Sequence, residues 1–284
     1  MALLNGIDVS QYQGDIDWPA VKKAGIQFAF LRAGIADASG KIRKDTKFES
    51  NREKAAAAGM ATGIYLYSRV ETESAAKTAA NELLSLCKGA PVEWPIVMDI
   101  EDTVYLSMSS EKNTAIAKAF LQEIERQNYY PMIYTYTYFA TENLNMTDLA
   151  EFPVWIADYR GYVGYQGEYG IWQFSCTGTV DGINADVDLD TAYEDYGTLI
   201  REAGKNGFGQ AGEKWQIAIF DFSEKARAQV VANAFLDLGF YSEVRPRGDK
   251  WQIAMYSFQE KSRAVEVSKA IQTLGLYNEV LLMT

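Results

Sequence analysis

Eight short apolar segments spread over the first 200 residues restrict the fold more than any other feature of the chain. They are "GIDVS" (6–10), "FAFLRAG" (28–34), "TGIYLYS" (62–68), "WPIVMDIED" (94–102), "PMIYTYT" (131–137), "FPVWIADY" (152–159), "GIWQFS" (170–175) and "ADVDLD" (185–190). Between the early ones lie stretches of helical pattern, "DWPAVKKAG", "KFESNREKAAAAG", "ESAAKTAANELLSLC" and "EKNTAIAKAFLQEIERQ". Pro19 near one helix start, and Gly25 and Gly59 just past two helix ends, are the expected punctuation. Strand–helix alternation points to parallel β-α-β units, and eight strands is the number that closes a barrel. The last three strands have connections too short for full helices. The expected class is therefore α/β, an irregular TIM-like β/α barrel over residues 1–200.

Nearly every one of these strands ends in a polar or aromatic group. Asp8 closes the first, Arg32 the second, Tyr65 and Tyr67 the third, Asp99 and Glu101 the fourth. Tyr134 and Tyr136 close the fifth, Trp155 and Tyr159 the sixth, Gln173 the seventh and Asp188 the eighth. In a parallel β/α barrel such ends converge on one mouth, where the chemistry of these folds is done. The segment "IVMDIED" (96–102) is the most telling. Side chains alternate along a strand, so Val97, Asp99 and Glu101 share one face while Met98, Ile100 and Asp102 share the other. With the first face inward, Val97 fills the core and the two acids emerge at the rim; Asp102 faces the helix layer or a loop. Two adjacent carboxyls cannot both ionise freely, so one keeps its proton to higher pH. A proton donor beside an ionised carboxylate is what cleavage of a glycosidic bond requires. Tyrosines and Trp155 at the same mouth offer aromatic faces to sugar rings, with Arg32 and Gln173 as polar partners.

The chain has no histidine. That excludes Ser–His–Asp and Cys–His catalysis and removes the commonest zinc ligand. "DVDLD" falls short of a calcium loop, because Thr191 stands where Gly is needed and Gly197 where Glu is needed. No cofactor and no metal is expected. The net charge of −11 argues against nucleic acid as a partner. No window approaches the length of apolar chain that spans a bilayer, so membrane insertion is not expected. Cys87 and Cys176 both sit in apolar contexts and read as a buried, reduced pair.

The carboxyl end is a duplication. Residues 214–244 match 250–280 at 17 of 31 positions with a constant offset of 36. Each copy opens with an alternating run (Trp215, Ile217, Ile219; Trp251, Ile253, Met255), followed by a helical pattern and a short strand; in the first copy Gly239 closes the helix. Two β-α-β copies make a small ferredoxin-like α/β sandwich over residues 213–284. The Gly-rich "REAGKNGFGQAG" (201–212) reads as a linker. From Glu213 onward there are nine acids and nine bases, so the whole negative charge belongs to the part before it.

"GIDVSQYQGDIDW", "FAFLRAG", "GIYLYS", "VMDIE", "VWIADY", "IWQFS" and "DVDLD", in that order, resemble glycoside hydrolase family 25, the muramidases of phage endolysins and bacterial autolysins. The resemblance covers roughly residues 4–196. It implies an irregular β/α barrel that hydrolyses the β-1,4 bond between N-acetylmuramic acid and N-acetylglucosamine in peptidoglycan. It also implies roles for the acids: Glu101 as general acid/base, Asp99 as its partner, Asp8 and Asp188 as the other two carboxyls of the pocket. Two positions depart from the family's pattern. Its last motif usually runs Asp-x-Asn, where this chain has Asp188-Leu-Asp190; and a His often follows the third strand's Tyr, where this chain has Leu66. Asp186 is a weaker alternative to Asp188. The duplicated tail is similar to SPOR-type modules, which bind peptidoglycan glycan strands; a dimerisation domain is the competing reading. The expected partner is bacterial peptidoglycan. The beginning of the chain carries no recognisable secretory signal, so synthesis in the cytoplasm and action on the wall after release is the expectation. Two rival readings stand beside this one, a non-catalytic wall-binding barrel and a metal-dependent barrel hydrolase.

Overall fold

The computed structural model describes residues 3–88, 91–208, 214–238, 240–258 and 261–283. The chain divides after Ile200 into two units.

The first unit opens with β1 (Leu4–Val9), a 3-10 turn (Gln11–Gln13), α1 (Trp18–Lys23), β2 (Phe28–Ala36), β3 (Ile42–Lys44), α2 (Phe48–Ala57), β4 (Ala61–Ser68) and α3 (Glu73–Cys87). It continues with β5 (Ile96–Asp99), a 3-10 turn (Thr103–Ser107), α4 (Ser110–Arg126), β6 (Pro131–Tyr136), α5 (Thr137–Glu142), β7 (Val154–Ala157), β8 (Ile171–Gly178), β9 (Val187–Ala192) and α6 (Tyr196–Glu202). The helices begin where the side chains dictate. Asp17, Thr72 and Ser109 each accept a hydrogen bond from a backbone N–H in the first turn of α1, α3 and α4. Each such cap contributes about 1 kcal/mol.

Eight strands close into a barrel in the order β1-β9-β8-β7-β6-β5-β4-β2, with β1 pairing β2. From β1 through β8 neighbouring strands run parallel, but β9 is antiparallel to both β8 and β1. This corrects the reading of an eighth parallel strand with Asp188 at its carboxyl end. Only residues 179–186 separate β8 from β9. So short a link cannot carry the chain back along the barrel, as a parallel crossover requires. The reversed strand therefore starts at the mouth, and Asp188 reaches the mouth as its second residue. β3 is an addition the sequence reading did not contain, a hairpin partner of β2. Gly34 makes it possible, since a Cβ there would lie 2.5 Å from the carbonyl oxygen of Arg43.

The barrel has two cores. Outward-facing Ile7, Leu31, Ile64, Leu66, Met98 and Ile133 pack with Phe48, Leu83, Ile116 and Phe120 of the helices. The interior is filled by aromatic rings. Trp94 stacks on Phe28 (3.9 Å between centroids), Phe28 meets Phe30 edge-on, and Phe30 stacks on Trp155 (4.5 Å). Each such pair adds about 1 kcal/mol beyond its buried area. Trp155 in turn meets Tyr134 and Tyr65 edge-on, so the top of this column is the floor of the mouth.

The two cysteines are not a buried pair: Cys87 is buried, while Cys176 is exposed in the outer half of β8, beyond its register shift. The stretch expected as a linker is partly structured. α6 runs through Glu202, and Asn206 and Phe208 are buried. Residues 209–212 lie outside the described residues.

The second unit comprises β10 (Lys214–Phe222), α7 (Lys225–Asp237), β11 (Ser242–Arg247), β12 (Lys250–Phe258), α8 (Lys261–Thr273) and β13 (Asn278–Met283). Its antiparallel sheet runs β11-β12-β10-β13. Gly239, expected to close the first helix, lies outside the described residues. The duplication is visible in the pairing itself. Ala218 sits opposite Ala254, its own counterpart 36 residues on, and Ile217 pairs with Val280 as Ile253 pairs with Val244. Trp215, Ile217, Ile219, Ile253, Met255 and Phe258 of the sheet pack with Ala228, Phe235, Ala264 and Ile271 of the helices.

Candidate active site

The parity expected of 96–102 is observed. Val97 is wholly buried, Met98 and Ile100 join the helix-side core, and Asp99 and Glu101 line a cavity at the mouth. β5 itself stops at Asp99, so Glu101 stands just beyond the strand. Asp102 turns away, as expected, and caps the following 3-10 turn by accepting from Val104 N–H. It also accepts from Tyr67 Oη (3.0 Å) and Arg69 Nε (2.7 Å), which ties the ends of β4 and β5 together.

A pit of about 220 Å³ gathers eleven of the twelve residues picked from the strand ends: Asp8, Asp99, Glu101 and Asp188, with Arg32, Tyr65, Tyr67, Tyr134, Trp155, Tyr159 and Gln173; Tyr136 is not among them. Ser10, Tyr12 and Gln13 complete its wall and were not anticipated. Their signal was legible, because Ser10 and Gln13 form a capping box around the turn that follows β1. Beyond the pit lies a groove of about 750 Å³ lined by Tyr136, Tyr138, Tyr159, Arg160 and Tyr162. Glu101, Tyr134 and Tyr159 border both. The groove's far wall is the segment after β7. There the buried carboxylate of Asp158 accepts from Thr137 Oγ1, Gly164 N–H and the Arg160 guanidinium, at 2.7, 2.9 and 2.6 Å.

Inside the pit the polar groups are interlocked. Gln173 Nε2 donates to Asp8 Oδ2 (2.6 Å), while Tyr134 and Tyr159 both donate to Gln173 Oε1. Asp8 and Asp188 are directly opposed across β1 and β9. Arg32 is the pit's cation. Its Nε and Nη2 are held by Asp45 at 2.9 and 2.8 Å, and Asp45 also accepts from Gln11 N–H. The hairpin β2–β3 thus delivers the group that orients Arg32. Oδ1 of Asp99 is buried with no hydrogen-bond partner among the described residues.

So many carboxyls in one hollow hold protons. Burial pushes Glu101 up to about 7, and the charges of Asp188 and Asp102 add to it. Burial raises Asp188 to about 6, with the hydrogen bond to Asp8 pulling the other way. Asp8 and Asp99 are both pushed well above the usual carboxylate range, again by burial first. For Asp8, Asp190 and Asp188 come next; for Asp99, Glu101 comes next and Arg32 opposes. Asp102 is different: despite burial, its bonds from Val104, Arg69 and Tyr67 hold it below the usual range. Among the described residues no group of three or more His, Cys, Asp or Glu side chains is placed to hold a metal ion. Nor is any helix among them long and apolar enough to cross a membrane.

The family model described as glycosyl hydrolases family 25 matches residues 7–183, which carry the barrel apart from β9, and most of this mouth. The chain belongs to glycosyl hydrolase family 25. Its relatives include the autolytic lysozyme of Clostridium acetobutylicum, 27% identical over 215 residues that make up 72% of this chain and 61% of that one. Lysozyme M1 of Streptomyces globisporus is 29% identical, over 65% of this chain and 66% of that one. The chain therefore matches about two thirds or less of the length of these two relatives. Among solved structures, the bacterial lysozyme of Streptomyces coelicolor superposes with a TM-score of 0.58 and 25% identity, over 70% of this chain and 96% of that one. The CTP1L endolysin superposes with a TM-score of 0.61 at 24% identity, over 69% of each chain, a likeness of fold.

Proposed function

We propose that the barrel is a muramidase that hydrolyses the β-1,4 bond between N-acetylmuramic acid and N-acetylglucosamine in bacterial peptidoglycan. The observation that carries this reading is the place of Glu101, on the border between a small pit and a larger aromatic-lined groove. The pit has room for one sugar ring and the groove for the continuing strand, so the linking oxygen falls beside the carboxyl that holds its proton to about pH 7. Glu101 donates that proton to the leaving oxygen. Asp99, with its unpartnered Oδ1, accepts the N–H of the substrate's acetamido group. That bond turns the acetamido carbonyl toward the anomeric carbon as an internal nucleophile. As positive charge develops on the sugar, the carboxylate form of Asp99 is favoured. Asp8, Asp188 and Gln173 set the opposite wall, and Tyr134, Tyr159 and Trp155 present aromatic surface to the ring. The names of the relatives support this reading, as does the clustering of four acids from three distant segments of the chain.

For the second unit we propose wall binding. On the sheet face away from the helices, two aromatic pairs are related by the duplication, Phe220 with Tyr277 and Tyr256 with Tyr241. Arg247 lies over Phe220 (4.0 Å) and Arg245 over Tyr256 (5.0 Å). Rings flanked by arginines suit a sugar polymer with anionic substituents. A neutral module on the wall would offset the repulsion felt by an acidic barrel and raise its local concentration.

The test is digestion of purified walls followed by reductive labelling of the new ends. Reduced muramic acid supports the assignment, while reduced glucosamine, or release by Glu101→Gln at the wild-type rate, overturns it. For the tail, Phe220→Ala with Arg247→Ala in the full chain should weaken co-sedimentation with walls. Unchanged co-sedimentation would sink the anchoring role.

A further inference from the structure

Asp190 lies beneath the pit, two residues along β9 from Asp188 and on the same face. It is 1% exposed. Its Oδ1 accepts from Trp155 Nε1 at 2.8 Å, and its Oδ2 has no hydrogen-bond partner among the described residues. The elements packed around it offer no counter-charge. On β1 the opposite residue is Gly6, where a Cβ would lie 2.1 Å from the Phe28 ring, so carbon fills that side. Diagonally on β1 stands Asp8, another acid. On β8 the opposite residue is Gln173, whose amide nitrogen is directed to Asp8 and whose oxygen already accepts from Tyr134 and Tyr159. On β7 stands Trp155, a neutral donor, and on β9 itself Asp188, an acid. The cation of the pit, Arg32, is held by Asp45 on the hairpin.

An ionised carboxylate in this position would face two acids with one neutral N–H for compensation. The cost of such an unpaired buried charge is relieved by binding a proton. We infer that Asp190 is a positioning residue that works as a neutral carboxylic acid, its Oδ1 seating the Trp155 indole that floors the pit. Burial and the nearby charge of Asp188 both act in this direction, against the single bond from Trp155. The Asp-x-Asp of this chain then does what an Asp-x-Asn would do, since a protonated carboxyl and an amide both present one carbonyl oxygen beside a donor group. Trp155 needs that oxygen. Its ring is stacked between Phe30 and the edge of Tyr134, and a lost N–H bond would leave a buried donor unpaired beneath the sugar.

The inference rests on the muramidase reading only for its consequence on substrate. Its test is therefore split between readouts that need hydrolysis and readouts that do not. In the full-length protein, Asp190→Asn should keep kcat/KM on soluble wall fragments within threefold of wild type at pH 6. Asp190→Leu, which removes the acceptor, should raise KM at least tenfold with a smaller change in kcat. Independently of activity, the infrared difference between wild type and Asp190→Asn at pH 7 should show a protonated carboxyl band. The alkaline unfolding midpoint of Asp190→Asn should lie about one pH unit or more above wild type, because the wild type must ionise Asp190 there. A carboxylate band in the difference spectrum, unchanged alkaline unfolding, or a tenfold loss of kcat/KM in Asp190→Asn would each overturn the neutral-acid assignment. Inactivity of the wild type on walls, with the spectrum as expected, would overturn the muramidase reading alone.

Discussion

Glu101→Gln should abolish hydrolysis and, at neutral pH, stabilise the barrel. In the fold the carboxyl holds its proton to about 7, against an ordinary value of 4.5. A raised native pKa means that the native state binds a proton the unfolded chain has released. The associated stability is whole below pH 4.5 and declines as the pH rises through the window from 4.5 to 7. At about 1.36 kcal/mol per unit the full shift corresponds to roughly 3 kcal/mol. Asp188 titrates at about 6 in the same cluster, so part of the release belongs to the pair. About 2 kcal/mol is the share expected to vanish with Glu101. Gln fills the same volume and does not ionise. Urea unfolding of the full chain at several pH values should therefore show the variant and the wild type nearly equal at pH 4, with the variant about 2 kcal/mol more stable at pH 8. A gap that does not change with pH, or a variant less stable at pH 8, would refute the argument from burial. A gap of the expected form with undiminished release of reducing ends would refute the catalytic role and leave the electrostatics standing.

Other outcomes follow from the same geometry. The rate on walls should fall on the alkaline side with an apparent pKa near 7 as Glu101 loses its proton; a flat profile from pH 6 to 8 would exclude it as the acid. Gly34→Ala should cost about 1–3 kcal/mol, because the new methyl meets backbone rather than a movable side chain. It should also raise KM, since β3 brings Asp45 to Arg32, and unchanged KM would detach the hairpin from the site. Asp158→Ala removes the acceptor of Thr137, Arg160 and Gly164 N–H and should cost about 2–3 kcal/mol. Proteolysis within residues 159–168 should accelerate while the pit's own chemistry, read with a short substrate, is retained.

The barrel was legible because its strands announce themselves twice, as apolar runs and as runs that end in polar groups. The parity of 97, 99 and 101 followed from alternation alone, and eleven of the twelve residues read from strand ends line one pit, Tyr136 lining the groove beside it. What escaped the sequence was whatever depends on direction or on a partner far along the chain. Asp188 was picked for the right end of the barrel by the wrong route, since nothing in "DVDLD" says which way the strand runs. β3 has three residues, too few for a pattern, and its job is to carry Asp45 to Arg32. Asp158 reads as an ordinary loop acid until Arg160 and Gly164 fold back on it. Cys176 looked apolar because its neighbours are, yet it lies past a register shift that turns it outward.

The self-matching register of the tail has a consequence for its ancestry. Where Ala218 faces Ala254, each copy meets the other as one chain would meet its twin across a dyad. A lone copy of this repeat already carries every edge and surface needed to complete the four-stranded layer with a second molecule. The tail thus has the internal two-fold pairing of a homodimer within one polypeptide, and a cut in the turn at Gly248 should leave two halves that still find each other.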